Sequence, residues 1–198
     1  MLGRSEAFIQ RIYPKLVELF PKQLSGVTAQ DLYLAVNQVE PSLIRIDADE
    51  LTYCLHIMVR YEIEKKMIAG EVAVSELPAL WAELMKEYLG VEVPNDRDGI
   101  LQDSHWSGGS IGYFPSYALG SAYAAQFIHR MEQDIPVYEL VAQGDFQTIN
   151  AWLDTHIHQY GCFYSPAELF RRCCGEEFDP QYYMDYLTQK YTKIYRLS

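Results

Sequence analysis

The feature that most constrains the fold is a helical period that runs through nearly the whole chain and fails over one stretch, residues 91–112. Elsewhere apolar side chains recur three and four positions apart, the spacing that lines up one face of an α-helix. Ser5 can cap a first helix, with Phe8, Ile9, Ile12, Leu16, Leu19 and Phe20 on its apolar face, Pro14 as a kink and Pro21 as a stop. Thr28 with Asp31 opens a second, whose face is Leu32, Ala35, Val36 and Val39 and whose end is Pro41. Residues 42–46 are short and partly β-branched, and fit a brief strand or an extended crossing. The acids Asp47, Asp49 and Glu50 suit the first turn of a long helix, where carboxylates meet the positive end of the dipole. Leu51, Cys54, Leu55, Met58 and Ile68 are expected to form its buried stripe, and Gly70 its C-terminal cap. A helix over 75–89 turns Trp81, Leu84 and Tyr88 inward and closes at Gly90. Helix resumes near Pro115 and runs to about Glu132, followed by shorter helices over 138–143, 146–159, 166–174 and 180–195. The expectation is an all-α chain, one mostly helical domain over residues 1–198 with at most one or two short strands.

A chain of 198 residues can bury one sizeable core. Its 16 basic and 27 acidic residues give a formal charge of −11, and such a surface repels phosphate backbones, so nucleic acid is not an expected partner. No run approaches the roughly 18 apolar residues of a membrane span, and no basic segment followed by an apolar one opens the chain, so a cytoplasmic location is the default expectation. Cys54, Cys162, Cys173 and Cys174 lack Cys-x-x-Cys spacing and read as free thiols, not as a zinc site.

Chemistry-bearing residues gather in the stretch that breaks the period. Pro94, Asn95, Asp96, Asp98 and Gly99 are turn formers, and Gly108, Gly109 and Gly112 keep the backbone irregular. A long irregular loop inside a helical chain is usually functional or disordered, and the aromatic content here favours function. It contains Gly99-Ile100-Leu101-Gln102-Asp103-Ser104-His105-Trp106 and then Gly112-Tyr113-Phe114-Pro115-Ser116-Tyr117. Asp103 is near enough to orient the His105 imidazole, and Tyr117 falls where the loop re-enters a helix and a phenol can point into a cleft. Tyr113 is less specific in a chain with sixteen tyrosines. Arg45, between Ile44 and Ile46, is either half buried against an acid such as Asp47, Asp49 or Glu50 or presented to a carboxylate ligand. His56 reads as structural, and His156 and His158 fall on different faces of a helix. His-Glu-x-x-His and a glycine-rich phosphate loop are absent.

Three stretches together resemble the thermostable (Taq-type) zinc carboxypeptidase family: Gly3-Arg4-Ser5, Pro41-Ser42-Leu43-Ile44-Arg45-Ile46-Asp47-Ala48-Asp49, and the loop motif 99–106 with its extension to Tyr117. The resemblance implies the C-terminal helical portion of a larger metallopeptidase, with the zinc ligands and general-base glutamate outside this chain. Zinc, or another divalent metal, is then the cofactor of the intact site, and none is expected on this chain alone. The implied partners are a peptide C-terminus, an N-terminal zinc-bearing portion and a second copy in a homodimer. By the same resemblance His105 and Tyr117 stabilise the transition state, Arg45 grips the substrate carboxylate beside Tyr113, and Gln102 and Asp103 orient His105, while Trp106 packs the loop. The alternative is a non-catalytic helical module that binds peptides or other proteins.

Overall fold

The computed structural model describes residues 1–197, and every regular element among them is helical. In chain order these are α1 (Glu6–Leu19), α2 (Ala29–Val36), α3 (Tyr53–Ala69), α4 (Leu77–Leu89), α5 (Pro115–Met131), α6 (Val137–Gln143), α7 (Phe146–His156), α8 (Pro166–Cys174) and α9 (Gln181–Tyr195), with short 3-10 turns between some of them. The all-α expectation holds.

The chain packs as two compact units, one of residues 1–37 and 121 onward and one of residues 38–120. In the first, Met131, Val137, Val141, Ile149, Trp152 and Cys173 form the core. Local side-chain caps start α1, α2, α7 and α8. Ser5 accepts the amide of Phe8, Thr28 and Asp31 form a reciprocal capping box, Asp145 accepts the amide of Thr148, and Ser165 that of Glu168. Helix α2 departs from its expected face. Tyr33 is its buried residue, whereas Ala35 and Val36 are exposed. It also stops at Asn37 rather than Pro41, because the buried Asn37 amide donates to the carbonyls of Tyr33 and Arg4 and so ends the helix itself.

In the second unit α3 packs on α4 around Val59, Ile63, Leu77, Trp81, Leu84, Met85 and Leu89. Left-handed Gly70 and Gly90 end the two helices where the sequence places them. The face of α3 is the main correction. Leu51, Met58 and Ile68 are exposed, and the buried positions are His56, Ile57, Val59, Arg60, Ile63 and Glu64. Half of that face is polar, so apolar periodicity points to the wrong side of the helix. Residues 42–46 form no strand. They cross extended into a 3-10 turn, Arg45–Asp47, and α3 begins only at Tyr53. The acids therefore lie ahead of α3, where Asp49 accepts the amides of Leu51, Thr52 and Glu40 and the Thr52 hydroxyl.

Candidate functional site

The irregular loop closes onto α3 through Gln102 and Asp103. The Gln102 carboxamide is used on both sides: its oxygen accepts from the Arg45 amide at 3.0 Å and Arg60 Nη2 at 2.9 Å. Its nitrogen donates to the carbonyls of Leu43 and Asp98 at 3.0 and 3.2 Å. Only a carboxamide offers an acceptor and a donor back to back in this way. Gly99 makes the approach possible, since a Cβ there would lie 2.8 Å from Val93 Cγ1 and 3.0 Å from the Asn95 carbonyl oxygen.

Asp103 lies between two arginines. Arg45 Nη2 donates to Oδ1 at 2.7 Å, and Arg60 Nε donates to Oδ2 at 2.7 Å. Arg60 has no exposed surface and Arg45 has 7 %. Burial opposes the charge of Asp103, but the hydrogen bond from Arg45 and the charge of Arg60 outweigh it and hold its pKa below the usual carboxylate value. Burial also opposes the charge of Arg45, where Asp103 prevails and raises the pKa; at the more deeply buried Arg60 burial wins and lowers it to about 10. Both guanidinium groups remain charged at neutral pH, so two cations share one carboxylate. Aromatic faces take up part of the remainder. Arg45 lies over Tyr117 at 4.8 Å and Arg60 over Trp81 at 4.6 Å, with Phe114 5.9 and 5.4 Å from the two.

Above this cluster the structure brings His105, Tyr113 and Tyr117 together. His105 Nε2 and the Tyr117 hydroxyl are hydrogen-bonded at 3.1 Å. The His105 ring is stacked on Tyr113 at 5.8 Å, lies 4.5 Å from the buried Phe114 ring, and Tyr113 meets Tyr117 edge-on at 5.1 Å. Desolvation, with the neighbouring Tyr113, raises the Tyr117 pKa, so its phenol stays protonated and able to donate. His105 Nδ1 is 3.7 Å from Asp103 Oδ1, within ion-pair range but without a hydrogen bond.

Of the two readings of Arg45, the structure shows the internal ion pair, and with Asp103 rather than with Asp47, Asp49 or Glu50. Asp103 takes Nε and Nη2 and Tyr53 takes Nη1, which leaves a second hydrogen on each terminal nitrogen. Sequence reasoning missed Arg60, Glu64, Tyr53 and Phe114 and read His56 as a bland helix residue. A signal for three of them exists: His56, Arg60 and Glu64 are four residues apart in turn, one polar stripe along one side of α3. His56 is fully buried, and neither ring nitrogen has a hydrogen-bond partner.

No three His, Cys, Asp or Glu side chains among the described residues form a group that could hold a metal ion. The donor set of this site does not suit one either, because Asp103 is committed to two arginines and His105 Nε2 to Tyr117.

Comparison with known proteins gives a consistent result. The family described as Carboxypeptidase Taq (M32) metallopeptidase matches residues 1–191. Carboxypeptidase 1 of Bacillus subtilis is 44 % identical over 197 residues, which are 99 % of this chain and 39 % of that protein. Thermostable carboxypeptidase 1 of Thermus thermophilus is 42 % identical over 196 residues, 98 % of this chain and 38 % of that one. The crystal structure of the M32 carboxypeptidase from Deinococcus radiodurans R1 superposes with a TM-score of 0.95 at 40 % identity, covering 99 % of this chain and 40 % of that chain. This chain thus spans about two-fifths of the length of the relatives it matches, and it belongs to the Taq-type (M32) metallocarboxypeptidase family.

Proposed function

We propose that this chain supplies the substrate-binding and transition-state-stabilising part of a metallocarboxypeptidase that removes amino acids from the C-termini of peptides, and that a zinc-bearing N-terminal portion completes it. The carrying observation is the 3.1 Å pair of His105 Nε2 and the Tyr117 hydroxyl above a cluster with one more cation than anion. When water adds to a peptide carbonyl, negative charge gathers on the carbonyl oxygen. Donors brought to that charge, as His105 and Tyr117 can be once the substrate oxygen replaces the hydrogen bond between them, lower the barrier by roughly a few kcal/mol each. Tyr117, its pKa raised, keeps the proton such a donor needs. The surplus positive charge of Arg45 and Arg60 over Asp103 favours the free carboxylate of a peptide's last residue, with the remaining hydrogens of Arg45 as its contact and Tyr113 beside it. Gln102 and Asp103 hold these groups to α3.

Exposed apolar side chains support partners for the 38–120 unit. Ile46, Ile68, Val74 and Leu101 are all largely exposed, and surfaces of this kind favour burial against another polypeptide, either the zinc-bearing portion or a second copy in a homodimer.

The test is to combine the purified chain with the part of the Bacillus subtilis relative that it does not match, add zinc, and follow release of C-terminal residues. The expected result is hydrolysis by the mixture and by neither piece, on peptides with a free C-terminus but not on amidated ones. A stable complex that holds zinc yet cleaves neither peptide would overturn the reading.

A further inference from the structure

Glu64 is 5 % exposed and sits on α3 one helical turn beyond Arg60, facing the loop. Its Oε1 accepts two N–H groups: the Trp106 indole at 2.8 Å and the Gly112 amide at 3.1 Å. These donors bracket the five residues 107–111. They also fix the two ends of a segment whose internal bonds are short-range turns, such as Gly108 to the Ser104 carbonyl and Ser110 to the His105 carbonyl. Gly112, with φ +77°, can adopt the left-handed backbone this turn requires. The Trp106 ring that Glu64 holds lies edge-on to Trp81 at 6.1 Å and to Phe114 at 5.7 Å, so the same contact seats it on the core.

We infer that Glu64 is a positioning residue for the reaction: its carboxylate ties Trp106 and Gly112 to α3, and so sets His105 immediately before the tie and Tyr113 immediately after it. This inference rests on the reading of His105 and Tyr117 given above. Two arguments favour a positioning role over a purely stabilising one. A buried acceptor needs its hydrogen bonds supplied, and Glu64 Oε1 receives both from the loop, which has no regular structure of its own, rather than from α3. The two residues flanking the tie are also those stacked on each other, His105 on Tyr113.

The test has two arms. In the chain alone, the Trp106 indole N–H and the Gly112 amide are followed by ¹H–¹⁵N spectroscopy. Glu64→Ala and Glu64→Asp, which removes or withdraws the acceptor, should move both signals and speed exchange of the Gly112 amide, while Glu64→Gln, which keeps Oε1, should largely preserve them. In the chain assembled with the zinc-bearing portion, Glu64→Ala and Glu64→Asp should lower kcat about 10- to 100-fold with KM within about twofold, the scale of a displaced reacting group. Glu64→Gln should recover most of the rate. Glu64→Asp serves if Glu64→Ala does not fold. Unchanged kcat in both variants, in an assembly where Tyr117→Phe is strongly impaired, overturns the role of Glu64 and leaves the site reading intact. If Tyr117→Phe is itself fully active, the site reading falls and the inference falls with it, whatever the spectra show.

Discussion

His105 Nε2 and the Tyr117 hydroxyl lie 3.1 Å apart, and the residues they belong to come from different local structures, one from the irregular loop and one from the first turn of α5. The pair is built on a buried floor. Phe114 has almost no exposed surface and supports the His105 ring, while the Arg45 guanidinium lies under the Tyr117 ring. Both side chains are thereby held on one face of the floor, joined by a single shared proton.

In the assembled enzyme, Tyr117→Phe and His105→Ala should each lower kcat by about 10²- to 10³-fold, with KM little changed and the fold intact. Because the two side chains share a hydrogen bond, the double variant should lose less than the product of the single losses. Steady-state kinetics with circular dichroism as a folding control decides this, and near-normal kcat in both single variants would mean the pair is structural.

Arg45→Ala should act on substrate choice. It removes one of the two cations that flank Asp103, leaving a neutral Arg60–Asp103 pair, so the preference for a free C-terminus over an amidated one should narrow. The comparison to make is the ratio of kcat/KM for matched free and amidated peptides. A ratio equal to that of the unsubstituted chain removes Arg45 from substrate recognition.

Gln102→Glu tests the four-bond carboxamide. The substitution keeps size and shape but turns the donating side into a second acceptor, opposite the carbonyls of Leu43 and Asp98. Two bonds are lost and a carboxylate oxygen is set against two carbonyl oxygens, which the new ion pair with Arg60 offsets only in part, for a net cost of about 1–3 kcal/mol. Urea unfolding followed by the fluorescence of Trp81 and Trp106 measures it, and an unchanged midpoint would show that the amide is not oriented as described.

What was legible in the sequence is what short-range chemistry decides. Ser5, the Thr28–Asp31 box, Gly70 and Gly90 each act on residues within a turn or so, and each appears where its type and spacing placed it. The loop was legible for the same reason, through its glycines. The buried face of α3 was not. Arg60 and Glu64 are tolerated inside because partners arrive from 42 or more positions away, Gln102, Asp103 and Trp106 among them, and no window on α3 contains that information. The Arg45 partner was hidden in the same way. Three acids lie within five residues, yet Asp49 is occupied by backbone amides and Asp103, 58 positions on, takes the guanidinium.

Gly99→Ala should destabilise the 38–120 unit. The added methyl meets Val93 Cγ1 at 2.8 Å, which can give, and the Asn95 carbonyl at 3.0 Å, which is backbone and cannot give without moving the turn. Overpacking of this kind costs about 1–3 kcal/mol. The turn carries Gln102 and Asp103, so a shift there should also disturb the Arg45 and Arg60 contacts. Thermal unfolding of the variant should show a lower Tm, and an unchanged Tm would contradict the close approach.

The last expectation concerns acid. Burial, with the charges of Arg60 and Arg45, pulls the His56 pKa from 6.5 down to about 4, against the smaller opposing effects of Asp49 and Asp103. Above pH 6.5 His56 is neutral whether the chain is folded or not, and it contributes no pH dependence. Between pH 6.5 and about 4 the unfolded chain binds a proton that the folded chain refuses, so stability falls as pH falls. Over that whole window the loss is about 3 kcal/mol. Asp103 acts at lower pH in the same direction: its depressed pKa gives stability that is present above the ordinary carboxylate value and lost as pH falls through the folded value. His56→Gln removes the first effect and leaves the second. Unfolding free energies from urea titrations at pH 7.5 and 4.5 should therefore differ by ~2–3 kcal/mol more in the unsubstituted chain than in the variant. Equal pH dependence in the two would show that His56 takes up its proton in the folded chain as readily as in the unfolded one.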